Sequence, residues 1–455
     1  MHPTTNNMLN GFRFLLYAAT ALAIVTFSSC SNNKVGKPLV AEADIIHLLN
    51  DRLTNVIMQD GFSPPIASRI YAYSNVAAYE AACLGVDGYK SLEHQLHGLD
   101  SLPKPEIGQK LDNKIVLIST FAQVANSIVY RDSILQNLAD SLVEIYATEI
   151  GDAEVKKASL LYAGKLAEAI IGWSLKDGYG ATRKMPIYTP FNGPQYWEPT
   201  PPKYADAVEP YWNTLRPFVI DSAAEYAEPF SMAFDTVKNS AFYNMCKAVR
   251  DSVAEADSVR NMIAHFWDDN PMIALSKGHT MLAYRQITPG GHWISITKIV
   301  SKQKQINLQQ ACDIYMRVSL SMADAFIAAW DLKFKTNLIR PVTYINRYID
   351  PAWKPLLETP PFPEYTCGHS TISAAASQAL ADYFGDNVDF VDNTNDPYNL
   401  PIRTFHSFLK TSEEAGMSRM YGGVHYHNSC IVGRNQGLAI ARLISARVTT
   451  APPLK

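Results

Sequence analysis

The sequence predicts an all-α protein built from helical bundles. Three observations carry that prediction. Apolar residues recur at spacings of three and four through most of residues 41–175 and again, with breaks, from about 226 to 333. Strand signals are few and short. At 455 residues the chain has enough length for two helical lobes or one large domain.

The first element is a targeting segment. Arg13 precedes a weakly polar to apolar run from Phe14 to Phe27, which has the length of a signal-peptide core and is too short to span a bilayer. The run closes on Ser28-Ser29-Cys30, which resembles a bacterial lipoprotein processing site with Cys30 as the lipidated residue. Residues 1–29 are therefore expected to be a leader and 30–40 a polar tether. The mature protein is expected to be an exported bacterial lipoprotein, anchored by lipid and facing the periplasm or the cell surface.

Next come the helices of an N-terminal region, 41–210. Ala41 to Met58 and Ala67 to Leu84 read as helices, with Pro64-Pro65 where the second would begin, and 110–129, 133–150 and 152–176 read the same way. Residues 185–217 are rich in proline and aromatics, as in Tyr196-Trp197-Glu198-Pro199, which points to an ordered crossing without regular structure. A C-terminal region, 211–455, returns to helical patterning, with Pro289-Gly290-Gly291 read as a turn.

Composition narrows the function. A net charge of −3 with no polybasic run excludes nucleic acid as a partner class. The six cysteines, Cys30, Cys83, Cys246, Cys312, Cys367 and Cys430, show neither CxxC nor Cys/His metal spacing, so neither a disulfide framework nor a zinc site is expected.

Three segments of the C-terminal region carry chemistry. In the first, Asp324 to Pro341, Lys333 and Arg340 lie seven residues apart, within roughly 20° of each other on a helix. Two cations on one face of a largely apolar helix either snorkel to solvent or meet an anion, for which the Arg fork and the Lys ammonium are suited. In the second, Pro363-Glu364-Tyr365-Thr366-Cys367-Gly368-His369 leads into a helix of small residues. Backbone N–H groups at such a start favour an anion, Gly368 lets one approach, and His369 is placed for proton transfer. In the third, Ser418-Arg419 is followed by Gly422-Gly423 and His425, and the paired glycines can bend the chain so that Arg419 and His425 converge. His425 is then a nucleophile or a metal ligand, whereas His427 points elsewhere.

Together these segments resemble the superfamily that joins vanadium-dependent haloperoxidases with type 2 phosphatidic acid phosphatases. Its pattern is Lys, six residues, Arg-Pro; then Pro-Ser-Gly-His; then Ser-Arg, five residues, His. The chain has Lys333…Arg340-Pro341, Thr366-Cys367-Gly368-His369 and Ser418-Arg419…His425 at the same spacings and in the same order. Trp330, Pro289-Gly290-Gly291-His292-Trp293, the Trp-containing crossing and the stretch from Ser63 resemble the soluble haloperoxidase branch.

The resemblance implies an all-helical fold with two bundles and the site at the end of one. It implies that Lys333, Arg340, Arg419 and the Gly368 N–H bind an oxyanion, that His425 is the axial ligand of vanadate or a phosphate-attacking nucleophile, and that His369 is the acid–base group. Two departures stand out. Cys367 replaces a hydrogen-bonding serine by a weaker donor that peroxide can oxidise. Ser429 stands where many members carry an Asp that orients the imidazole, which argues against efficient phosphate-ester chemistry.

The leading expectation is a haloperoxidase that uses vanadate, hydrogen peroxide and a halide, with Lys333 polarising the bound peroxide. The alternatives are a phosphomonoesterase acting on a small phosphate ester through a phosphohistidine, and a non-catalytic oxyanion-binding lipoprotein. Phe362 matches a position that is aromatic in chloride-oxidising relatives.

Overall fold

The apolar spacing of 41–58 becomes helix α1 (Asp44–Asp60), which stops where Gly61 turns left-handed at φ 71°. This is a computed structural model, and it describes residues 40–271, 273–277, 280–284 and 286–451. The expected leader and Cys30 lie outside the described residues. Helix α2 (Pro64–Ala82) opens on its two prolines, whose missing N–H groups a first turn does not need. Asp112 caps α3 (Asn113–Asn126), α4 follows (Asp132–Ile150), and Asp152 caps α5 (Ala153–Ser174) before the single turn α6 (Tyr179–Thr182).

The crossing is ordered and longer than expected. Among residues 183–240 only the 3-10 turn Trp212–Thr214 is regular. The helical reading of 226–240 is corrected accordingly: the next helix, α7 (Ala241–Ala254), starts at its Ser240 cap and is followed by α8 (Ser258–Phe266). The fully buried Asp324 carboxylate anchors the crossing by accepting N–H bonds from Phe218, Val219 and Ile220 at 2.7, 2.8 and 3.0 Å. After α8 comes an antiparallel hairpin, β1 (Ile273–Lys277) and β2 (Thr280–Tyr284), in which Ile273 pairs with Tyr284 and Lys277 with Thr280.

Two further expectations change. Pro289-Gly290-Gly291 is not a turn but the first turn of α9 (Pro289–Gln303), because Thr288 caps the Gly291 N–H at 3.1 Å with Pro289 at the first helical position. Lys333 and Arg340 do not share a helix. Helix α10 (Leu308–Thr336) ends at Asn337, which turns left-handed at φ 49°. Residues 337–339 then pair with the crossing, Trp197 N–H to the Asn337 carbonyl at 2.8 Å and Ile339 N–H to the Gln195 carbonyl at 3.0 Å. Pro341 therefore begins a new helix, α11 (Pro341–Tyr348), with Arg340 extended at its N-cap.

The remaining elements are α12 (Gly368–Phe384), the short pair β3 (Phe390–Asp392) and β4 (Arg403–Phe405), α13 (Phe408–Tyr421) and α14 (His427–Arg447). Helix α10 is buried along most of its length and packs on α2, α12 and α14. Among the described residues no helix is long and apolar enough to cross a membrane. Helix α14 approaches α12 closely through glycines: a methyl group at Gly433 would lie 2.7 Å from the Cys367 carbonyl oxygen, and one at Gly437 would overlap that of Thr371. Gly437→Ala is therefore expected to destabilise the fold by about 1–3 kcal/mol, read as a lowered urea midpoint with an unchanged slope.

Candidate active site

Four helix ends and one extended segment meet at a single place. Lys333 comes from the last turn of α10, Arg340 from the cap of α11, Cys367 and Gly368 from the start of α12, and Arg419 from the end of α13. His425 follows the bend at Gly422-Gly423, where Gly423 sits at φ 79° and the Val424 N–H returns to the Arg419 carbonyl at 3.0 Å. The extended segment is 360–366, between α11 and α12.

All three cations are buried, at no more than 2% exposure. Main-chain carbonyls receive most of their donors. Lys333 Nζ donates to the carbonyls of Pro363 at 3.1 Å, Glu364 at 3.0 Å and Thr366. Arg340 donates to the carbonyls of Phe362 and Val424, each at 2.8 Å, and of Pro360 at 3.3 Å. Arg419 Nη1 meets Asp268 Oδ1 at 3.3 Å. Burial, with Arg340 alongside, brings Lys333 down to about 7, and burial brings Arg340 to about 10, so Arg340 keeps its charge at neutral pH.

His425 is held in one orientation. Its Nδ1 donates to Glu364 Oε1 at 2.8 Å, and its Nε2 faces Arg340 Nη1 at 3.2 Å. Since the guanidinium can only donate, Nε2 presents its lone pair to the cation cluster. Glu364 is fully buried and also accepts the Tyr426 N–H at 2.9 Å and the Ser429 hydroxyl at 2.7 Å. Sequence reasoning missed this carboxylate. It noted that Ser429 lacks the acid that would orient the imidazole, but here the acid arrives from the other side, and Ser429 serves it. A lone Glu between Pro363 and Tyr365, three residues ahead of Cys367, was the available signal.

His369 is partly buried, and its Nε2 has no partner. Burial, with Arg419 nearby, holds it well below the ordinary histidine value, so the ring is neutral. The Cys367 thiol is fully buried. Burial alone would raise it; Cys430 and His425 outweigh that and hold it well below the usual thiol range. Gly368 packs flat, since a methyl there would lie 3.4 Å from the Trp330 ring. Phe362 lies 4.9 Å below both the Lys333 ammonium and the Arg340 guanidinium and 5.0 Å from Trp330.

Behind Arg419, Asp268 adjoins a second buried group. His292 sits between Asp269 at 3.0 Å and Asp392 at 2.9 Å and stacks on Trp267 with centroids 4.6 Å apart. Burial alone would lower His292, but the two carboxylates outweigh it and lift the ring to about 10. This ion cluster pins the 267–269 loop on which Arg419 rests.

A cavity of about 220 Å3 opens onto the cluster, lined by His369, Arg419, Asp268, Pro360 and Phe362 among others. It shares Gly61, Ser63 and Val208 with a neighbouring cavity of about 490 Å3. The buried cations exceed the carboxylates facing them: Glu364 and Asp268 stand against Lys333, Arg340 and Arg419. Arg419 Nε and His369 Nε2 also lack partners. A tetrahedral oxyanion such as vanadate fits these deficits in charge and in hydrogen bonding.

Residues 313–451 match the family model of the VCPO second helical-bundle domain. The chain is 39% identical to a solved bacterial vanadium-dependent iodoperoxidase, with a TM-score of 0.86, covering 92% of this chain and 100% of that one. It belongs to the vanadium-dependent haloperoxidase family.

Vanadium-dependent chloroperoxidases of bacteria, solved in holo and apo forms, share the fold at TM-scores of 0.63 and 0.62. Their identities are 15% and 14%, over 93% and 92% of this chain and 98% and 96% of theirs. No curated protein sequence matches the chain. Within the haloperoxidase family, Glu364 is the residue on which the orientation of His425 depends in this chain. Glu364→Gln is expected to weaken vanadate binding about 10–100-fold in equilibrium dialysis, with far-UV circular dichroism unchanged.

Proposed function

We propose that this haloperoxidase-family chain oxidises halide with hydrogen peroxide, iodide foremost, using vanadate held at His425. The single observation that carries the reading is the Glu364-backed imidazole, whose Nε2 faces a buried excess of positive charge. The 39% identity to an iodoperoxidase supports iodide, which is also the halide most easily oxidised.

Each residue then has a task. His425 Nε2 would hold the vanadium atom, and Lys333, Arg340, Arg419 and the Gly368 N–H would bind its oxygens. When bound, vanadate supplies Lewis-acid activation of peroxide without changing oxidation state. The neutral His369 has a free Nε2 in the cavity wall to take a proton from hydrogen peroxide. Burial keeps Lys333 close to neutrality in pKa, so it can hold or release a proton beside the reacting oxygens. The apolar wall of Pro360, Pro361 and Phe362 limits water at the cluster.

A second reading, hydrolysis of a small phosphate monoester, is favoured by the same carboxylate, because Glu364 makes His425 a better nucleophile. The two are separated by assaying vanadate-loaded protein for peroxide-dependent iodide oxidation and vanadate-free protein on a chromogenic phosphate ester. Iodide oxidation is expected, lost in His425→Ala and reduced about 10²–10⁴-fold in His369→Ala. Full activity in His425→Ala would remove the assignment.

The reading extends to location. The Phe14–Phe27 run ahead of Cys30 supports export and lipid anchoring. Full-length chain is expected in the membrane fraction of a bacterial host and Cys30→Ser outside it; equal partitioning of the two would rule out the anchor.

A further inference from the structure

The cavity of about 490 Å3 beside the oxyanion pocket has no task in the chemistry above. The two cavities meet at Gly61, Ser63 and Val208. The inner one, about 220 Å3, suits peroxide and a halide, whereas about 490 Å3 falls in the range that holds an organic ring. The outer wall gathers exposed apolar side chains: Tyr130 is 75% exposed, Ile187 83% and Met185 38%. The Tyr130 ring stacks on Phe62 with centroids 4.9 Å apart, and most of it still faces solvent. Two residues of this wall carry buried hydroxyls that meet no partner. Ser63 stands at the N-cap of α2 without capping it, and Tyr188 is held edge-on against Phe334 at 5.0 Å. The charges are lopsided, with Asp60, Asp206 and Glu209 in the wall against Arg183. That arginine is already taken by Glu209, Nη1 to Oε1 at 3.1 Å.

We propose that this outer cavity is an acceptor subsite for an uncharged single-ring phenol, which is iodinated there by hypoiodous acid arriving from the oxyanion pocket. Each feature of the wall selects that ligand. The ring lies against Tyr130, Met185 and Ile187 and removes their apolar surface from water. The phenolic hydroxyl serves Ser63 and Tyr188, whose own hydroxyls the fold leaves without partners. The acidic wall with its one engaged arginine repels a ligand that carries a carboxylate. In the transfer step the ring carbon next to the phenol hydroxyl attacks iodine. A C–I bond forms and the I–O bond breaks, with both I–O electrons leaving on oxygen as hydroxide. That hydroxide takes the hydrogen displaced from the same carbon, so one phenol and one hypoiodous acid give one iodophenol and one water. Passage by way of Ser63 and Val208 hands the oxidant to the ring before it reaches bulk water.

The transfer rests on the peroxidase reading, but the binding site does not, so the two are tested apart. Full chain without vanadate is titrated at pH 7 with p-cresol, and with 4-hydroxybenzoate, in which a carboxylate replaces the methyl group. Binding is followed by ligand-observed NMR. Saturable p-cresol binding is expected, with 4-hydroxybenzoate at least about tenfold weaker. Ser63→Ala and Tyr188→Phe each remove a hydroxyl that makes no hydrogen bond in the fold, and each is expected to weaken p-cresol about 3–10-fold. Ile187→Asp, at an exposed position, is expected to weaken it as well. No saturable binding, equal affinity for the two phenols, or wild-type affinity in all three variants would overturn the proposal. Vanadate-loaded chain is then given peroxide, iodide and both phenols in equal amounts, and the products are compared with those from preformed hypoiodous acid. A shift toward iodinated p-cresol is expected, lost in Ile187→Asp; the same product ratio as with free hypoiodous acid would place iodination in bulk water and overturn the transfer. A chain that binds p-cresol but oxidises no iodide overturns the peroxidase reading and the transfer with it, leaving the binding site. A chain that oxidises iodide without binding p-cresol overturns the subsite alone.

Discussion

Burying Lys333, Arg340 and Arg419 side by side is the constraint to which the rest of the molecule answers. Each cation loses its hydration, and like charges so close repel, so the arrangement needs compensation at short range. Glu364 and Asp268 provide two negative charges. The segment 360–366 provides the remainder as carbonyl dipoles aimed at Lys333 and Arg340. The irregular path of that segment follows from this task, since a helix or strand would direct the same carbonyls into its own ladder.

Orientation is the second demand, and buried carboxylates answer it twice. Glu364 fixes which nitrogen of His425 carries the proton and so which one faces the cations. Asp269 and Asp392 hold a charged His292 in the core and with it the loop that carries Asp268 to Arg419. In both cases a carboxylate far along the chain from the histidine sets the geometry of a residue in the buried cluster.

Close helix packing ties the pocket to the scaffold. Gly433 and Gly437 bring α14 against the first turns of α12, with Gly433 facing the Cys367 carbonyl and Gly437 that of Thr371.

The sequence by itself determined the helical class, most helix boundaries before residue 175 and the family, because these depend on local periodicity, caps and the spacing of a few motif residues. Asp112, Asp152 and the Pro64-Pro65 pair sit where local rules place them. It did not reveal that α10 stops at Asn337, since that break depends on pairing of 337–339 with 195–197. Nor did it mark Pro289 as a helix start, where the Thr288 cap outweighs the turn tendency of two glycines. Glu364 was in plain view, but its role needed the fold, because a carboxylate becomes an orienting group only when an imidazole from 61 residues away is packed against it. Hydrogen bonds and charge pairs between distant segments were decided by tertiary structure alone, for no local pattern records which buried donor will meet which acceptor.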